Sequence, residues 1–116
     1  MSKPSDLVQG TLDMLLLKVL ALQPMNGLAL SERLKQVSGD VLQVSDGSLY
    51  PALQRLLKAK MVKAEWTISS STNRRVRVYQ ITRAGLQHLE REISSFDRML
   101  EGIQLVLGPA RRATNT

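Results

Sequence analysis

Leu86, Leu89, Ile93, Phe96, Leu100, Ile103 and Leu107 follow one another at spacings of 3, 4, 3, 4, 3 and 4. That rhythm admits one structure, a long helix with an unbroken apolar seam. Thr82 offers a side-chain oxygen to cap its first turn, and Gly108 with Pro109 offers a stop. The helix is therefore predicted over Arg83 to about Leu107, in a segment 82–109, with 110–116 as a flexible tail that lacks core-forming residues. A helix buried only in its own small domain rarely needs so regular a seam. All seven residues are accordingly read as the contact between two copies of the chain, a homodimer interface.

Residues 1–81 must then supply the folded domain, and Val44 to Met61 is its most informative stretch. Leu49, Leu53, Leu56 and Leu57 fall at i, i+4, i+7 and i+8, one buried stripe of a helix. Gln54, Arg55 and Lys58 lie opposite, with Ser48 and Tyr50 on the flanks near an N-terminal end where backbone N–H groups are unpaired. A helix with such a polar, basic face suits a DNA groove. Ser45 or Ser48 can cap it. A start at Ser48 keeps Pro51 in the first turn, where its missing N–H costs nothing, whereas an earlier start sets its ring against the Gly47 carbonyl and needs a distorted turn.

The charge distribution points the same way. Within residues 55–77, Arg55, Lys58, Lys60, Lys63, Arg74, Arg75 and Arg77 are opposed by Glu65 alone, and this local excess equals the net charge of +6 for the whole chain. The patch is local, as expected for a polyanionic partner.

Residues 1–9 form a loose arm or an extra helical turn. Leu12, Leu15, Leu16, Val19, Leu20 and Leu22 exceed a single stripe, so a helix over Thr11 to Leu22 should be covered on several sides, the last helix among its covers. It is a core helix rather than a signal peptide, because Asp13 and Lys18 interrupt it and no small-residue cleavage site follows. Pro24 to Gly27 is a turn, after which Leu28 to Val37 forms a helix burying Leu30, Leu34 and Val37. Val41 to Val44 is a candidate short strand.

Lys63 to Ile68 alternates, with Ala64, Trp66 and Ile68 on the face assigned to the core. Arg75 to Ile81 is a second strand whose less regular parity leaves room for a bulge, and the polar residues 69–74 connect the two. Two strands with a basic tip make a wing. The predicted fold is mainly α with a small β wing (α+β): a winged helix-turn-helix domain over residues 1–81, followed by the dimerisation helix.

Catalysis finds little support. His88 is the one histidine, cysteine is absent, and Glu90 and Glu92 point in different directions from their helix, so no acid–base pair, metal set or nucleophile motif is formed and no cofactor is predicted. The lack of cysteine suits a reducing cytoplasm, and no run is long enough to span a membrane. The rival reading is a winged helix that binds protein, which would favour an exposed apolar patch over a basic one. RNA fits poorly, because aromatic stacking platforms are few.

The residues themselves are recognisable. The chain resembles the PadR family in Gly10-Thr11-Leu12-Asp13, Asn26-Gly27, the run centred on Gly47-Ser48-Leu49-Tyr50-Pro51-Ala52-Leu53, Ala64-Glu65-Trp66, Asn73-Arg74-Arg75, Tyr79 and Thr82-Arg83-Ala84-Gly85. The resemblance spans about residues 10–107 and implies a dimeric, effector-responsive bacterial transcription regulator, usually a repressor, in the short form with one C-terminal helix. The expected contacts to double-stranded DNA, on a pseudo-palindromic operator, are Ser48, Tyr50, Pro51, Gln54, Arg55, Lys58, Asn73, Arg74, Arg75 and Arg77. Two positions depart from the family pattern. Lys60 stands where glycine commonly follows the reading helix, and Leu28 where an aromatic often follows the glycine of the first turn.

Overall fold

Leu16, Leu17, Leu20, Leu30, Leu49 and Leu53 are all withdrawn from solvent, and the chain is arranged around them. The structure is a computed structural model that describes residues 9–115, with side chains from 10 to 108. Its elements are α1 (Gln9–Leu20), β1 (Met25–Asn26), α2 (Gly27–Val37), α3 (Asp46–Lys58), β2 (Val62–Ile68), β3 (Arg75–Ile81) and α4 (Arg83–Asn115). Of the predicted arm at residues 1–9, residues 1–8 lie outside the described residues and Gln9 begins α1.

The apolar excess of α1 is used on several sides at once: α2, α3, β3 and α4 all pack against it. Burying each leucine is worth roughly 1.5–3 kcal/mol, so this one helix organises the domain. It ends at Leu20, before the predicted boundary, and Leu22 is exposed. The segment read as a plain turn does more than reverse the chain. Met25 and Asn26 pair with Tyr79 and Val78, giving an antiparallel sheet in the order β1-β3-β2. Asn26 then caps α2, its Oδ1 accepting the Ala29 N–H at 2.8 Å.

Other expectations are corrected. Val41 to Val44 forms no strand, because the sheet edge is taken by β1. Val37 is exposed, since the last turn of α2 runs past the core. The wing has no bulge: its register runs residue for residue from Val62↔Ile81 to Ile68↔Arg75. The core side of that pairing holds only near the domain, where Ala64 meets Tyr79. Farther out, Trp66 and Ile68 are 58% and 57% exposed, because the strands extend beyond the helices they pack on.

α3 begins at Asp46 with Ser45 as its N-cap, so Pro51 lies inside the helix. It ends in a tight cap in which Met61 N–H reaches the Leu56 carbonyl at 2.9 Å and Lys60 N–H reaches that of Leu57 at 3.0 Å. Lys60 sits at φ 62°, the left-handed conformation that glycine adopts without cost, so the departure from the family pattern is borne as local strain.

Thr82 joins the wing to α4. Its hydroxyl donates to the Lys60 carbonyl at 2.8 Å and accepts the Gly85 N–H at 3.1 Å. Gly85 is buried, and a Cβ there would collide with the Met61 carbonyl, which accounts for the Thr-x-x-Gly spacing.

α4 divides its seam. Leu89 is buried, and Ile93 and Phe96 pack half-buried on the core beside α1, whereas Leu100, Ile103 and Leu107 remain 38%, 45% and 47% exposed. The first half of the seam is thus intramolecular. Leu86, its first residue, is also exposed. The helix continues through Gly108 and Pro109 to Asn115, where a stop and a loose tail were predicted. Proline removes one hydrogen bond and crowds the carbonyl four residues back. Ala110, Arg111, Arg112 and Ala113 are residue types of good helix propensity, which favours resumption of the helix after the proline.

Candidate nucleic-acid interface

The apolar stripe of α3 is buried as Leu49, Ala52, Leu53 and Leu56, with Leu57 half-buried at its edge. Its outward row is formed by Tyr50, Gln54 and Lys58, one turn apart and all exposed, with Ser48 and Pro51 exposed toward the N-terminal end. Tyr50 leans on the start of α2, where Gly27 makes room for it: a Cβ on Gly27 would lie 2.8 Å from the phenolic oxygen and 2.9 Å from the ring. Asn26-Gly27 and Tyr50, far apart in sequence, are therefore two halves of one contact.

Arg55 does not join this row. Its Nη2 donates to Asp13 Oδ1 of α1 at 2.8 Å, with both side chains partly buried, so its charge is committed inside the chain. Among the described residues no carboxylate stands at ion-pair distance from Lys58, Arg74, Arg75 or Arg77. Those four charges are available to a polyanion.

The wing presents them. Arg75 and Arg77 project on the same face as Trp66, their guanidinium carbons 4.8 Å and 5.9 Å from its ring centroid. The loop is closed by Ser69 N–H to the Arg74 carbonyl and Asn73 N–H to the Ser69 carbonyl, both at 2.8 Å. Asn73 has φ 57°, a conformation asparagine tolerates, so its evident role is to turn the chain beneath Arg74.

Between the outward row of α3 and this face of the wing lies an open hollow of about 560 Å³, lined by Tyr50, Gln54, Trp66, Arg75 and Arg77 among others. Sequence reading assembled most of this set and missed Trp66, which it assigned to the core. His88 faces Glu92 one helical turn on, at 3.6 Å, away from this face.

A three-stranded sheet with a basic hairpin, set beside the outward row of a third helix, defines a winged helix-turn-helix protein. The family model of the transcriptional regulator PadR-like family matches residues 16–91, and the chain belongs to that family. It is similar to a PadR-like transcriptional regulator from Bacillus cereus, at 28% identity over 89% of this chain and 97% of that one, with a TM-score of 0.74. A PadR family regulator from Eggerthella lenta is also 28% identical, over 84% and 82% of the two chains, with a TM-score of 0.70. A transcriptional regulator from Clostridium thermocellum shares the fold at a TM-score of 0.77, with 21% identity over 86% of this chain and 96% of that one.

Proposed function

We propose that this transcription regulator is a homodimeric repressor that binds a pseudo-palindromic operator through α3 and the wing and is released by a small-molecule effector in the cytoplasm. The observation that carries the reading is the concave face on which Tyr50 and Gln54 stand opposite Arg75 and Arg77, with Lys58 beyond Gln54 on the same helix row beside Arg77 and no carboxylate pairing the cations among the described residues. Helix side chains within reach of base edges specify, and wing cations on phosphates position. The exposed second half of the α4 seam supports the dimer, which would present two reading helices at once. Control by an effector is what the resemblance to the PadR family implies.

Selection from a random duplex library tests the reading. It should enrich an inverted repeat with half-sites spaced by about one helical turn. Gln54→Ala should then lose about 1–3 kcal/mol on that site and much less on random DNA, the signature of a bidentate base contact. Failure to enrich any motif, or an equal loss on both DNAs, contradicts it.

A further inference from the structure

Trp66 is the sole tryptophan of the chain, and it stands on the wing rather than in the core. Its partner across the antiparallel pair is Arg77, and Arg75 lies two residues along β3 on the same side. The guanidinium of Arg75 covers its ring at 4.8 Å; that of Arg77 lies 5.9 Å from the Trp66 centroid and 5.8 Å from that of Tyr79. Tyr79, Arg77 and Arg75 thus follow one another on one face of β3, with the Trp66 ring of β2 against both guanidiniums. Glu65, next in β2, pairs with Val78 and so belongs to the opposite face of the sheet.

An arginine can be held in place in two ways. A carboxylate orders it and neutralises it, as Asp13 does to Arg55. An aromatic face orders it and leaves its charge intact for another partner.

We propose that Trp66 is a positioning residue for DNA binding, a platform that presents Arg75 and Arg77 to the phosphate backbone pre-ordered and, among the described residues, uncompensated by any carboxylate. The proposal rests on the DNA-binding reading above. The platform lowers the conformational entropy the two arginines lose on contact, so it acts on all sequences alike. Because Trp66 and both arginines line the same hollow as Gln54, DNA seated on α3 closes over the stack.

The test is equilibrium binding to duplex DNA, operator and random, for wild type, Trp66→Ala and Trp66→Phe, each also in an Arg75→Ala/Arg77→Ala background. Melting curves and the tryptophan emission of the wild type accompany it. Trp66→Ala should weaken binding roughly three- to tenfold on both DNAs without moving the melting temperature, and phenylalanine should restore most of the loss. In the background lacking both arginines, Trp66→Ala should have no further effect. Tryptophan emission should change as DNA is added. An undiminished penalty in that background would make Trp66 a direct DNA contact and overturn the proposal, and no penalty in the wild-type background would overturn it too. If wild type binds and these results fail, only the platform is wrong; if wild type binds no duplex at low salt, the DNA reading falls and the platform falls with it.

Discussion

Arg55 of α3 and Asp13 of α1, 42 residues apart, meet in an ion pair of 2.8 Å. The pair ties the reading helix to the helix at the centre of the domain. It also separates two basic residues that neighbour each other on α3: Arg55 is paired with Asp13, and Lys58 faces outward with no carboxylate at ion-pair distance among the described residues.

Alanine at each should therefore act differently. Arg55→Ala removes a partly exposed ion pair and should lower stability by about 1 kcal/mol, a fall of several degrees in Tm for a domain of this size, with little change in the salt dependence of DNA binding. Lys58→Ala should leave Tm unchanged and reduce the log–log salt slope by about 0.9 per site. Melting curves and salt titrations of the two variants decide, and interchanged effects would refute the division.

Lys60 at φ 62° offers a stability test that does not depend on DNA. Lys60→Gly should remove the left-handed strain at the cost of some unfolded-state entropy, for a net gain of about 0.5 kcal/mol in chemical denaturation. The bond from Thr82 to its backbone carbonyl survives the change. A loss of stability would show that the lysine side chain contributes more than the strain removes.

Much of this was legible in the residues, and the failures share a cause. Periodicity located α3, both wing strands and α4 because each signal is repeated several times within the element. It assigned Trp66 to the correct face of β2 and the wrong environment, since alternation reports which side a residue is on and not how far the covering helices reach. The ion pair of Arg55 with Asp13 went unread because nothing local in the sequence marks a partner on another helix. The pair Met25-Asn26 is too short to announce a strand, and it is one only by virtue of Tyr79 and Val78 beside it. The seam of α4 was read as wholly intermolecular, although Leu89, Ile93 and Phe96 are used within the chain.

That division decides which residue tests assembly. A charge at Phe96 would disturb the packing beside α1 as well as any dimer. Ile103 lies beyond that contact and is exposed in the single chain, as are Leu100 and Leu107. Wild type should scatter light as a dimer and Ile103→Asp as a monomer with its fold retained by circular dichroism, because each large apolar side chain removed from an interface forfeits roughly 1.5–3 kcal/mol. A dimer that persisted would place the contact elsewhere than on the seam.

In the proposed complex Lys58, Arg74, Arg75 and Arg77 meet the phosphates of duplex DNA in each of two protomers. The most direct measurement is the affinity of the wild-type protein for its selected operator across a salt series. If each of these residues neutralises one phosphate in each protomer, the plot of log K against log salt should fall with a slope of roughly −7, at 0.9 per contact. A slope near zero, or no binding at about 50 mM salt, would contradict the account.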